Sequence, residues 1–312
     1  MGPSPSIGVV VHPTKVVEGS LRTLHEWAER RGVRLLARDD EAGRLPPSVP
    51  IETVPDEAFL ARVDALVSLG GDGTMLGAMR LVLARPVPVL GVNYGNVGFL
   101  VEVNPADLGH VLDRLPDGEF VVEPYACVEV EADGAVATAF NDVVLGAAEA
   151  GGSVELDLEV EGVQFGYYRC DALVLSTPTG STAYNYAAGG PVISPSADVL
   201  AMTPVAPMTG ISHSIVLPAT DTVGIRNAAP GREAVLRVDG NAWAALRPSA
   251  SIAARLRPEA GQVVRIDPAG HARRSRLKLS LLDLPLRPGQ IAELLPDEVR
   301  DEVRRLRGRL EG

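Results

Sequence analysis

The stretch LVSLGGDGTMLGAM at 66–79 constrains the fold more than any other part of this chain. An apolar run of strand character leads into Gly70, Gly71, Asp72, Gly73 and Thr74, and an apolar run of helical character follows. Two glycines before an acid and a third after it predict a turn with positive φ that a ligand can approach closely. Where such a turn opens a helix, its free amides favour an anion, and the carboxylate at the tip is placed to accept a proton. Phosphoryl transfer uses that pairing. A tight strand-to-helix turn with an aspartate near the helix start has the same local appearance, so the motif alone leaves both readings open.

The flanking sequence says what surrounds the turn. IGVVV at 7–11 reads as a buried strand, Ser20 as the N-cap of a helix that stops at Gly32, and residues 33–37 as the next strand. This strand, helix, strand order predicts a βαβ unit in a parallel sheet. Residues 38–55, with four prolines, read as an irregular surface segment, and 74–84 as the helix after the glycine turn. A short strand at 87–91 precedes NYGNVGFL at 93–100, a second glycine loop at the same sheet edge, where open α/β sheets bind ligands.

From Glu119 the pattern changes to alternating strands with hairpin signals at Asp133-Gly134 and Glu161-Gly162. The fold class read from this change is an α/β N-terminal domain with a parallel sheet plus a mainly β C-terminal domain. The boundaries are 1–118 for the first and 119–270 for the second. Residues 271–312 begin with a basic strand-like run and end in a charged helix from about 297 to 310.

Composition narrows the functional class. The 312 residues are 46% hydrophobic and 22% charged, with no apolar run long enough to cross a bilayer and no signal-peptide pattern, which predicts a cytoplasmic protein without a membrane partner. Two cysteines without CxxC spacing argue against a disulfide framework or structural zinc. A net charge of −11 argues against nucleic acid, yet leaves room for an anionic small ligand.

Three further stretches carry chemistry. Asn141 and Asp142 put an amide and a carboxylate side by side, able to grip a ribose diol or simply to start a turn. Loop 177–182, TPTGST, follows a strand with small hydroxyl side chains and little bulk, which suits a nucleotide. VDGN at 238–241 reads first as a hairpin turn. No GxxxxGK[ST] occurs, so a P-loop is excluded.

GGDGT at 70–74, GVNYGNVGFL at 91–100, the Asn141-Asp142 pair, TPTGSTAYN at 177–185 with GGPVISP at 189–195, and VDGN at 238–241 stand in the order seen in NAD kinases. The chain resembles that family from about residue 7 to 267. GGDGT alone is shared with lipid and sugar kinases of the same superfamily, whereas TPTGSTAY is far more specific. The resemblance implies transfer of the terminal phosphoryl of ATP, or in some members polyphosphate, to the adenosine 2′-hydroxyl of NAD, with Mg²⁺ or another divalent cation.

By that resemblance Asp72 is the general base, and Gly70, Gly71, Gly73 and Thr74 face the phosphates. The dinucleotide falls to Asn141, Asp142, Arg169, Asp171, Thr179, Thr182, Ala183, Tyr184, Asn185 and Ala206, with Asn241 a weaker candidate; no metal ligand is assigned. A homodimer or homotetramer is implied, with residues 271–312 returning to the first domain. Three positions depart from the family pattern: Asp142 replaces the usual glutamate, Gly77 stands where a basic residue often follows the turn, and His213 lies near an expected arginine. They leave a second reading, a related kinase acting on another nucleoside or nucleotide hydroxyl. A third, a dinucleotide-binding sensor, has no need of Asp72.

Overall fold

The computed structural model describes residues 4–95, 100–149 and 151–273. The expected helix at 297–310 and most of the expected return of 271–312 lie outside the described residues. Five strands open the chain: β1 (Ser6–Val11), β2 (Arg34–Arg38), β3 (Glu52–Val54), β4 (Ala65–Gly70) and β5 (Pro88–Asn93). Helices α1 (Glu18–Arg31), α2 (Asp56–Arg62) and α3 (Asp72–Leu81) alternate with them, and α4 (Leu108–Arg114) follows. The strands pair in parallel in the order β3, β2, β1, β4, β5. Continuous apolar runs in β1 and β4 follow from burial on both faces, where separate apolar clusters pack.

Local expectations differ from the structure in three places here. Helix α1 begins at Glu18, so Ser20 is inside it, and its buried hydroxyl accepts a 2.6 Å hydrogen bond from Tyr94 instead of capping the helix. Residues 38–55 are not wholly irregular: a 3₁₀ turn (Asp39–Arg44) leads to β3, whose three residues reach the open edge of β2. Helix α3 starts two residues before the predicted Thr74, because the chain turns helical as soon as it has passed Gly71.

The second half contributes β6 (Val121–Ala132), β7 (Ala135–Ala139), β8 (Asp142–Ala147), β9 (Val154–Val160), β10 (Val163–Cys170) and β11 (Ala172–Ser176). After α5 (Tyr184–Ala187) come β12 (Val199–Val205), β13 (Thr209–Gly210), β14 (Ile215–Pro218), β15 (Val223–Asn227), β16 (Ala234–Val238), β17 (Asn241–Leu246) and β18 (Ser251–Arg265). Six of them form an antiparallel sheet in the order β14, β12, β11, β8, β16, β17. Its inner face, with Val143, Leu145, Leu173 and Leu236, packs on Val130, Leu156, Ile225 and Ile252 of the other sheet.

That other sheet has twelve strands and runs through both halves. The link is β18, fifteen residues long, which pairs antiparallel with β6 and β15 and then, at Gln262 and Val263, parallel with β5. Its register with β6 shifts between Arg257 and Gly261, where a Cβ on Gly261 would meet the Phe140 ring at 2.8 Å. The α/β and β-rich halves therefore share backbone hydrogen bonds, and the loops at their junction are held against one another.

Candidate active site

At the end of β4 the chain enters α3 through Gly71, whose φ of −121° and ψ of −164° are ordinary extended backbone. None of Gly70, Gly71 and Gly73 has positive φ, contrary to the expectation from sequence. The glycines serve space instead. A Cβ on Gly70 would lie 2.1 Å from Thr74 Oγ1, so the strand end must be bare for the first helical turn to fold onto it. Cβ atoms on Gly71 and Gly73 would meet nothing within 4 Å, which leaves their backbone open to a ligand.

Asp72 is the first residue of α3. Its Oδ1 accepts the amides of Leu100 at 3.1 Å and Val101 at 3.4 Å, from the far end of the second glycine loop. Residues 96–99 of that loop lie outside the described residues. The Leu100 carbonyl in turn accepts Arg265 at 2.5 Å, and Arg265, only 2% exposed, also donates to Glu123 Oε2 at 2.7 Å and Tyr125 Oη at 2.5 Å. Sequence reading missed Arg265; its one signal is a charge inside the apolar run GQVVRI.

The glycine turn opens on a cavity of about 660 Å³ lined by Gly71, Gly73, Thr74, Gly77 and Arg80, and across from them by His12, Lys15, Arg38 and Arg44. Gly77 leaves this wall bare, and cationic groups reach the cavity from three other elements. The buried carboxylate of Glu41 lines it too; burial, opposed mainly by Arg38, raises its pKa above the usual range.

A second group of loops is tied to the far end of α3. The Asp239 carboxylate, 2% exposed, accepts the amides of Phe140 (3.1 Å), Asn141 (2.8 Å) and Asp142 (3.2 Å), and it pairs with Arg80 of α3. Thr177 Oγ1 donates to the Phe140 carbonyl at 2.7 Å and accepts the Gly180 amide at 2.9 Å, while the Thr177 amide donates to the Asn141 carbonyl at 3.0 Å. Gly180 has to be glycine: its Cβ would fall 2.0 Å from the Asn141 carbonyl oxygen. Asn141 and Asp142 are thus fixed from both sides through their backbone, with their side chains left for other partners.

Asp142 is 5% exposed, and its carboxyl is pushed up to about 6, first by burial and then by the charge of Asp239, against a stabilising amide from Tyr184. With Asn141, Asp171, Ala183 and Tyr184 it lines a cavity of about 650 Å³. Thr179 and Thr182 line a neighbouring one of about 600 Å³ together with Leu100, whose amide holds Asp72. Asp72 therefore stands between the cavity lined by its neighbours Gly71 and Gly73 and the one lined by Leu100, Thr179 and Thr182.

Models of the ATP-NAD kinase N-terminal domain and of the ATP-NAD kinase C-terminal domain match residues 7–120 and 140–265. The chain belongs to the ATP-NAD kinase family. An NAD kinase of Moorella thermoacetica is 33% identical over 83% of this chain and 84% of its own length. One from Symbiobacterium thermophilum is 39% identical over 68% and 76%, and NAD kinase 1 of Streptomyces avermitilis is 30% identical over 93% and 92%.

Two solved structures share the fold. Yeast NADH kinase complexed with NADH has a TM-score of 0.78 at 22% identity, covering 92% of this chain and 90% of that one. An NAD kinase from Archaeoglobus fulgidus in complex with ATP has a TM-score of 0.66 at 23% identity, covering 89% and 98%.

Within this ATP-NAD kinase fold the residues singled out from sequence take different positions. Asn185 is fully buried, its Nδ2 donating to the Ser181 and Pro191 carbonyls and its Oδ1 accepting from Thr203 at 2.7 Å, so it shapes the 177–190 region from within. Arg169 pairs with Glu155 at 3.6 Å, Ala206 is exposed with φ of 46°, and exposed Asn241 donates to the Asp239 carbonyl. None of these three lines the cavities described above. Asp239, two residues before Asn241, is the organising member of VDGN.

Proposed function

We propose that this chain phosphorylates NAD with ATP, transferring the terminal phosphoryl group to the adenosine 2′-hydroxyl and giving NADP and ADP. The observation that supports it most is the position of Asp72, at a helix N-terminus open to the basic cavity on one side and tied through Leu100 to the Thr179 and Thr182 cavity on the other. In this reading Gly70, Gly71, Gly73 and Thr74 form the phosphate-facing turn, and Lys15, Arg38 and Arg44 balance donor charge. Asn141 and Asp142 hold the acceptor's ribose hydroxyls. Thr179, Thr182, Ala183 and Tyr184 shape its surroundings, with Asp171, Arg169 and Ala206 toward its far end.

The acceptor oxygen attacks the terminal phosphorus, its proton passes to Asp72, and the bond to the leaving diphosphate breaks. Among the described residues no cluster of three or more His, Cys, Asp or Glu side chains could cage a cation. A divalent cation carried on the donor phosphates fits that arrangement, since Mg²⁺ binds mainly through phosphates, waters and one or two carboxylates. Such an ion neutralises charge on the transferring group. The working unit is a cytoplasmic homodimer or homotetramer, and residues 1–118 and 119–270 supply donor and acceptor sides. No described helix is long and apolar enough to cross a membrane.

The test is purified protein with ATP and Mg²⁺ against NAD, NADH, adenosine and other nucleosides, read by product mass and fragmentation. A phosphoryl group on the adenosine ribose of NAD supports the reading. An enzyme that ignores NAD and phosphorylates a free nucleoside overturns it.

A further inference from the structure

Asp239 lines the acceptor cavity, but its carboxylate is 2% exposed and already taken by three successive amides and one guanidinium. Everything it holds, however, belongs to the acceptor side: Phe140, Asn141 and Asp142. Its counter-ion Arg80 comes from the other side of the site and is 30% exposed in the basic cavity. Arg80 also shares α3 with Asp72, one at each end of a single ten-residue helix. A helix of that length is one stiff body, so Asp72 and the anchor of the acceptor loop keep a fixed spacing of about 12 Å along its axis.

We propose that Arg80 and Asp239 are positioning residues that lock the Asn141-Asp142 pair to the base-bearing helix, so that an acceptor hydroxyl held by the pair arrives in register with Asp72. The proposal rests on the kinase reading of the site. It extends that reading by assigning acceptor alignment to Asp239, in the wall of the acceptor cavity, and to Arg80, which lines the basic cavity instead. Phe140 supports the same link from the core, since it and Met79 of α3 both crowd Gly261.

The arrangement has an electrostatic signature. Asp142 is faced by Asp239 from the β16–β17 turn and the Tyr184 amide from α5, and it shares its cavity with Arg237, Glu149 and Asp171. Asp239 disfavours ionisation of Asp142, and Arg80 compensates that charge. Removing Arg80 should therefore move the acid limb of kcat/KM for NAD to higher pH, and Asp239→Asn should move it lower. These shifts report the charge coupling of the pair to Asp142, and the split between KM for NAD and KM for ATP reports its positioning role.

The experiment uses the full chain with Arg80→Met, Arg80→Lys and Asp239→Asn, measuring kcat and KM for NAD and for ATP from about pH 5 to 8. Arg80→Met should raise KM for NAD at least about tenfold, with KM for ATP within about twofold, and Arg80→Lys should recover part of the loss. An unchanged KM for NAD overturns the proposal, whatever the acid limbs do. So does a selective rise in KM for ATP, which would make Arg80 a donor contact. If Asp239→Asn does not fold, the two variants at half-buried Arg80 decide alone. Should the parent chain phosphorylate no acceptor, the kinase reading fails by itself, and calorimetric NAD affinities of the same variants still test the positioning role.

Discussion

The turn at 70–74 and the loop at 177–182 both follow a buried strand, yet they are built in opposite ways. In the first, side chains are missing: Gly71 and Gly73 face open space, and nothing packs where their Cβ atoms would be. In the second, side chains are turned inward: Thr177, Ser181 and the following Asn185 are fully buried and spend their polar atoms on neighbouring backbone and, at Asn185, on Thr203 as well. Gly180 has no free space at all. In the proposed reading the first region leaves room for the donor phosphates, while the second presents a finished surface to the acceptor.

The sharpest way to probe this contrast is at the base. Asp72→Asn keeps an oxygen for the Leu100 and Val101 amides, so the turn should hold its shape and bind both nucleotides, while turnover falls about 100- to 10,000-fold. Steady-state kinetics with parallel calorimetry would check it, and near-normal turnover would remove Asp72 from the mechanism.

Alanine at the glycines separates the two regions next. Gly180→Ala forces a Cβ into the Asn141 carbonyl and should destabilise the fold by about 1 to 3 kcal/mol in urea unfolding. Gly71→Ala meets no atom, so stability should change by less than about 0.5 kcal/mol while KM for ATP rises. Equal destabilisation by the two would show that the turn is not the open surface described above.

Acidity gives a third comparison. An aspartate titrates at about 4 in an unfolded chain, whereas Asp142 is pushed up to about 6 in the fold. The native state therefore holds the extra proton between those values. Its contribution is fully present below about pH 4 and is lost as pH rises through about 6, leaving a cost on the order of 1 to 3 kcal/mol at higher pH. Asp142→Asn should then be more stable than the parent at about pH 8 and no more stable at about pH 4. A difference that stays constant with pH would show that Asp142 is not strained. In the parent, KM for NAD should rise as pH falls through about 6, where the carboxylate proposed to hold the ribose is neutralised.

The smallest effect belongs to Asn241. It is exposed, and the hydrogen bond from its side chain goes to the Asp239 carbonyl, so Asn241→Ala should change stability by no more than about 0.5 kcal/mol and KM for NAD by less than about threefold. A larger rise would restore it to the acceptor site.

What the sequence determined by itself is whatever depends on neighbours along the chain. Asp133-Gly134, Glu161-Gly162 and Asp239-Gly240 all take positive φ at two successive residues, as a two-residue hairpin turn requires, and that steric preference is local. The apolar runs of β1 and β4 and the strand-turn-helix around Asp72 were legible for the same reason. Only the tertiary structure decided which distant groups meet. Asp239 reaches Asn141 across 98 positions, Arg265 reaches Leu100 across 165, and β18 joins the parallel strands to the β-rich half. Ser20 carries every local mark of an N-cap, but its hydroxyl goes to Tyr94. A side chain's own neighbours say which bonds it can make, and the packing of sheets and helices brings it the partner it bonds.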